Sequence, residues 1–243
     1  MYETLLVLLV AHLVADFPLQ PDWMIRHKRH PAVLGLHVLV VAGTAALALG
    51  GWPATVLLIL VGTHLAMDAV KVYALPDSLG SFVLDQLVHL VVIVALAGAF
   101  PGTFAHGAWA ALPGNLAAAC LVGLCLVGGA IASLMVGAIL IRKATAPFTR
   151  QLSGDIAGLE SGGAYIGWLE RALVMLLILI GQPAGVGFLI TAKSILRFGD
   201  VRDSSQRKLT EYIIIGTFMS FGWGLLIAVL TQLAVGHWLD RLA

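Results

Sequence analysis

Asn115–Ile141 reads NLAAACLVGLCLVGGAIASLMVGAILI, an uninterrupted run of 27 residues without one charged side chain. At about 1.5 Å per residue, a helix of that length reaches about 40 Å, more than the ~30 Å hydrocarbon core of a bilayer. A helix also satisfies its own backbone hydrogen bonds, which the interior of a bilayer demands. The stretch reads as a membrane span. The rest of the chain agrees with it: of 243 residues, 60% are hydrophobic and only 11% are charged. Soluble domains carry about 25% charged residues, so a soluble enzyme and a disordered chain are both excluded. The formal net charge of +1 excludes a nucleic-acid partner.

Working outward from that run, apolar stretches separated by Pro, Gly and charge clusters define eight segments. They lie at 3–17, 32–50, 54–73, 82–100, 115–141, 164–181, 184–198 and 210–236. The expected fold class is all-α: a polytopic transmembrane helical bundle of about eight membrane segments, the first and the seventh short. Segment one ends in Phe17-Pro18-Leu19-Gln20-Pro21, whose prolines cannot continue a helix. The expected organisation is a four-segment half bearing His and Asp (1–100), the long fifth helix with a Gly-rich cytoplasmic loop (101–163), and a three-segment half with a Glu/Arg/Lys cluster (164–243). Gly158/Gly162 and Gly163/Gly167 have the small-residue spacing of close helix packing. The N-terminal Met1-Tyr2-Glu3 has no basic n-region and reads as a retained first helix.

Basic residues set the expected orientation. Arg26, Lys28 and Arg29, then Arg142, Lys143 and Arg150, then Arg202, Arg207 and Lys208 fall in alternate loops, while 51–53, 101–114 and 182–184 contain no Lys or Arg. The excess of basic residues marks the cytoplasmic side, which places both termini outside.

Ionisable groups inside membrane segments are costly and invite a functional reading. The first four segments hold His12, Asp16, His37, His64, Asp68, Lys71, Asp85 and His89. His12/Asp16, His64/Asp68 and Asp85/His89 are i, i+4 pairs, so each pair shares a helix face, as metal ligands do on HExxH helices. On the expected topology the seven His and Asp groups converge on one level near the cytoplasmic face. They suit one divalent metal ion with open positions, or two ions, with zinc the leading identity and manganese or non-haem iron compatible. His12, His37, His64, Asp68 and His89 are the expected ligands, and Asp16 or Asp85 the expected general base. Lys71 sits three residues from Asp68 and could simply neutralise it. Gln20 and Gln86 could orient ligands. His27, His30, His106 and His237 read as solvated. Cys120 and Cys125 are neither a CxxC pair nor placed for a disulfide within one helix.

The second half holds Glu170, Arg171, Lys193, Arg197 and Glu211. Lys193 and Arg197 share a face that could receive a phosphate head group. The simpler reading has Glu170 and Glu211 pairing with these cations and holding segments six to eight together.

His12-Leu-Val-Ala-Asp16-Phe17-Pro-Leu-Gln20, His37, His64-xxx-Asp68 and Asp85-Gln86-xx-His89 resemble a family of bacterial polytopic membrane proteins defined by a domain of unknown function. Ile166-Gly167-x-Leu169-Glu170-Arg171, Ala192-Lys193-Ser194-x-x-Arg197-Phe198 and Glu211-Tyr212-x-x-Ile215-Gly216-Thr217 extend that resemblance, which implies a bacterial inner-membrane location. More distantly, the HxxxD pairs resemble predicted membrane-bound metal-dependent hydrolases. The expected activity is hydrolysis of a lipid or polyprenyl-phosphate substrate drawn from the bilayer. A proton- or metal-coupled transporter, and a scaffold or sensor with a structural metal, are the alternatives, and a homo-oligomer is open to all three. Neither GxSxG nor GxxxxGK[ST] occurs, which counts against serine hydrolase and P-loop chemistry.

Overall fold

A computed structural model describes residues 1–151, 161–197 and 207–240. Gly154, Gly158, Arg202 and Phe198 of the sequence reading lie outside the described residues, as does the side chain of Arg197. The described residues are helical, without strands: α1 (Tyr2–Asp16), α2 (Asp22–His27), α3 (Pro31–Leu49), α4 (Ala54–Ala74), α5 (Leu79–Ala99), α6 (Gly114–Ile131), α7 (Gly137–Thr149), α8 (Gly162–Leu179), α9 (Ala184–Arg197) and α10 (Arg207–Leu239). Six helical stretches among them are long and apolar enough to cross a membrane; α6 and α7 count as one, Gly114–Thr149. The expected first and seventh segments are the short α1 and α9, of 15 and 14 residues.

Local chemistry sets the ends of the elements. Phe17-Pro18 stops α1, and the Phe17 N–H still donates to the Leu13 carbonyl. Pro31 opens α3 at a position where its missing N–H costs nothing, and the His30 ring accepts from the Ala32 N–H at 3.3 Å. Gly50 ends α3 in the left-handed region, at φ 69°, as the C-terminal glycine of a helix does. The Ser78 hydroxyl caps α5 by accepting from the Ser81 N–H. This cap starts α5 three residues before the expected boundary, so that Asp85 sits well inside the helix rather than at its first turn. The helix α2 was not expected: six residues are too few to display a period.

The chain forms two compact units, 1–131 with 234–243, and 132–233. In the first, α1 packs against α3, α5 and α6, while α4 joins α3 to α5. Val7, Leu8 and Ala11 of α1 meet Ala45 and Leu49 of α3, Leu57 and Leu60 of α4, Ile93 and Leu96 of α5, and Leu121 and Cys125 of α6. The outward faces are also apolar: Leu39, Leu47, Leu58 and Val91 are exposed. Large exposed aliphatic side chains on successive helices suit a lipid solvent.

In the second unit, a π-helical turn, Ala132–Val136, begins the segment. Such a turn releases carbonyls from the helical ladder. The Ala132 carbonyl accepts from Trp223 Nε1 at 2.9 Å, and the Leu134 carbonyl accepts from Arg171 Nη2 at 3.1 Å. Trp223 lies so close that a Cβ at Gly137 would come within 2.6 Å of its ring.

Candidate metal centre

Connections α3–α4 and α4–α5 are short, so neighbouring helices run in opposite directions. His12 and Asp16 lie near the C-terminal end of α1, His37 in the first half of α3, His64 and Asp68 in the second half of α4, and Asp85 and His89 in the first half of α5. Alternating direction turns these different positions into one level. All seven side chains come together between the four helices. His37 is fully buried, Asp68 and Asp85 are 1% exposed, and the Asp16 side chain is 7% exposed.

The closest approaches centre on His37 and His64, whose Nε2 atoms are 3.2 Å apart. Asp16 Oδ1 lies 3.4 Å from both nitrogens. Asp68 Oδ2 lies 3.5 Å from His37 Nε2 and 3.4 Å from His64 Nε2. On α5, Asp85 Oδ1 and His89 Nε2 are 3.3 Å apart. The His64 and His89 rings stack at 4.1 Å between centroids, with His12 against His89 at 5.1 Å. Beside His12, His64 and His89 is a cavity of about 10 Å³, closed by Val41, Leu60 and Ile93. That is room for about one water molecule.

Whether these residues suit a metal can be tested on their hydrogen bonds. Asp16 Oδ1, Asp68 Oδ2, Asp85 Oδ1 and His89 Nε2 are buried with no hydrogen-bond partner. Buried polar atoms are nearly always satisfied, and leaving one bare costs about 1–3 kcal/mol, more for a charged group. Such atoms gathered in one cluster fit a bound cation. Among the described residues, three groups have ligand atoms mutually within 4.8 Å: His12, Asp16 and His64; His37, His64 and Asp68; Asp68, Asp85 and His89. The buried His/Asp groups can therefore hold a metal ion.

Around them is a second layer. Gln86 Oε1 faces His12 Nε2 at 3.3 Å while Gln86 Nε2 donates to Asp85 Oδ2 at 3.1 Å, so one amide links His12 of α1 to Asp85 of α5. Lys71 pairs with Asp85, not with Asp68 as its i, i+3 spacing suggested. Asp68 is instead met by Lys28, whose Nζ donates to Asp68 Oδ1 at 2.8 Å. Lys28 read as one more basic loop residue, yet it is 8% exposed. Nothing local in the sequence marks it, because Lys28 follows α2 and reaches Asp68 across 40 residues. Gln20, with its amide oriented to satisfy the network, accepts from Lys28 at 2.8 Å and donates to the Asp16 carbonyl.

The remaining candidates make other contacts. His27 contacts the Trp23 carbonyl, and His106 that of Gly102, both at the surface. His237 packs edge-on against Tyr2. In the second unit Lys193 pairs with Glu170, tying α9 to α8. Glu211 pairs with Arg207 within α10, at 2.9 Å and exposed, rather than with the cations of another described helix. Arg171 is buried and also donates to Ser220 Oγ at 3.1 Å.

Residues 4–111 match the model of a family described as a protein of unknown function (DUF3307). The matched span contains α1 to α5 and all seven members of the His/Asp cluster. No curated protein and no solved structure matches the chain.

Proposed function

We propose that this protein is a membrane-embedded metal-dependent hydrolase acting on an ester or phosphoester of a bilayer lipid or polyprenyl phosphate. The observation that carries the reading is the set of four buried atoms without a hydrogen bond, Asp16 Oδ1, Asp68 Oδ2, Asp85 Oδ1 and His89 Nε2, converging with further imidazoles inside a helical bundle. His12, His37, His64, Asp68 and His89 are the ligand pool, and zinc suits imidazole with carboxylate and no thiolate. A bound divalent ion supplies a water of lowered pKa and polarises the bond under attack.

The chain's own groups then have defined tasks. Asp85, fixed by Lys71 and Gln86, accepts the proton of the attacking water. Gln86 also holds His12 in one tautomer and orientation. Apolar walls at Val41, Leu60 and Ile93 keep bulk water from the histidines. In the second unit Lys193 is already paired with Glu170, so a phosphate bound there would have to displace that carboxylate. The orientation that supports these roles opens the site to the cytoplasmic leaflet of a bacterial inner membrane.

The test is release of fatty acid or phosphate from vesicles of phosphatidic acid or a polyprenyl phosphate, by zinc-loaded protein in nanodiscs. Expected is turnover lost with a chelator and reduced on the order of 100-fold or more in Asp85→Asn. Metal-loaded protein that hydrolyses none of these lipids would overturn the reading.

One observation favours a cation carrier instead. Asp68 and Asp85 each already have a lysine partner, so an ion could leave without stranding either carboxylate. Uptake of zinc into proteoliposomes, abolished in Asp68→Asn, distinguishes the two.

A further inference from the structure

The cluster contains more ligand atoms than one ion uses, and the distances divide them. Asp16 Oδ1 with the Nε2 atoms of His37 and His64 makes a triangle of sides 3.2, 3.4 and 3.4 Å. Asp68 Oδ2 with the same two nitrogens makes a second, of sides 3.2, 3.5 and 3.4 Å. A tetrahedral ion with bonds of about 2.0–2.1 Å holds its ligands about 3.3–3.4 Å apart. Both triangles have the dimensions of a tetrahedral face, and they share the His37–His64 edge.

We propose that Asp16, His37, His64 and Asp68 form one four-coordinate site for a single divalent ion of the zinc type, with His12, Asp85 and His89 outside it. This rests on the metal-centre reading and makes Asp16 a ligand rather than a base.

Three features support this division. Asp16 Oδ1 and Asp68 Oδ2, the two oxygens assigned to the ion, are buried and accept no hydrogen bond, whereas the outer oxygen of Asp68 is held by Lys28. With both imidazoles protonated on Nδ1, the two facing Nε2 lone pairs meet at 3.2 Å, an arrangement that one shared cation relieves. Charge argues for one ion rather than two. Asp16, Asp68 and Asp85 against Lys28 and Lys71 leave one net negative charge if the histidines are neutral. One divalent ion leaves one net positive charge; two would leave three, buried in a low-dielectric interior. With Asp16 in the ligand set, Asp85 is the carboxylate left to act as base, and His12 and His89 flank the water-sized cavity as proton-handling or substrate-contacting groups.

Cobalt(II) tests the proposal, because tetrahedral cobalt absorbs visible light far more strongly than octahedral cobalt. Full-length protein in detergent, stripped by chelator and titrated with cobalt, is expected to bind one equivalent with the intense tetrahedral bands. His89→Gln is expected to keep those bands. Asp16→Asn and His37→Gln are expected to lose them and weaken binding on the order of 100-fold or more. His37→Cys separates a direct ligand from a misfolded variant: a thiolate on the ion adds a sulfur-to-cobalt charge-transfer band that a collapsed protein cannot give. Tetrahedral bands that survive in Asp16→Asn and His37→Gln but vanish in His89→Gln would overturn this ligand set while leaving a metal centre in place. Failure of the wild-type protein to bind cobalt or zinc at all would overturn the metal-centre reading itself.

Discussion

Lys28 illustrates how much one side chain can depend on its tertiary partner. Its ammonium is buried against Asp68 Oδ1, while Asp68 Oδ2 faces His37 and His64. Removing one member of a buried ion pair costs about 3–5 kcal/mol, because the other is left charged and uncompensated. Lys28→Met is therefore expected to lower the thermal midpoint strongly in the presence of chelator. With saturating zinc the loss should shrink, since the ion then compensates Asp68. Melting curves in detergent under both conditions decide it; equal losses would mean that Asp68 faces no ion. The ligand candidates themselves were legible in the sequence, because His and Asp stand out in apolar helices and their i, i+4 spacing puts each pair on one face. Their partners were not. Lys71 lies three residues from Asp68 yet reaches Asp85, and Lys28 reaches Asp68 from 40 residues away; local spacing carries no record of either.

At the scale of elements, α1 carries two members of the centre and is itself the most enclosed helix of the first unit. Its 15 residues span about 22 Å, less than the bilayer core, but Val7 and Leu8 are fully buried by neighbouring helices. A helix lined by protein need not match the lipid. Its seat depends on α6, where a Cβ at Gly128 would come within 2.9 Å of Val10 Cγ2. Gly128→Leu is expected to push α1 away, costing about 1–3 kcal/mol as overpacking does, and to weaken metal binding by displacing His12 and Asp16. Val10→Ala in the same chain should restore both. Titration of the double variant with zinc measures this; unrestored affinity would show that α6 does not position the centre. The sequence marked α1 as short from its prolines, but α2 and the π-helical turn at Ala132–Val136 left no pattern, one for its brevity and the other because a π turn is specified by Trp223 and Arg171 against its carbonyls.

For the whole molecule, the charge asymmetry predicts both termini on the outer side. Within the first unit the rings of Tyr2 and His237 are 5.6 Å apart, so the start of α1 and the end of α10 lie at one end of that unit. Such an arrangement needs an even number of crossings, as the expected eight segments give. Alkaline phosphatase fused after Ala243 is expected to be active and a fluorescent protein there to be dark, the reverse result rejecting the outward orientation. A reporter placed after Thr149, in the stretch expected to face the cytoplasm, should behave in the opposite way.

The sequence by itself determined that this is an all-helical membrane protein, because long uncharged runs have only one stable backbone solution in a bilayer. It also determined which side chains are expensive enough there to need a purpose. Only the tertiary structure decided how those side chains are shared out. The distances among the His and Asp groups, the partners of Lys28 and Lys71, and the pairing of Lys193 with Glu170 depend on which helices pack together. That choice is made by side-chain fit between elements far apart in the chain, and no spacing within one helix encodes it.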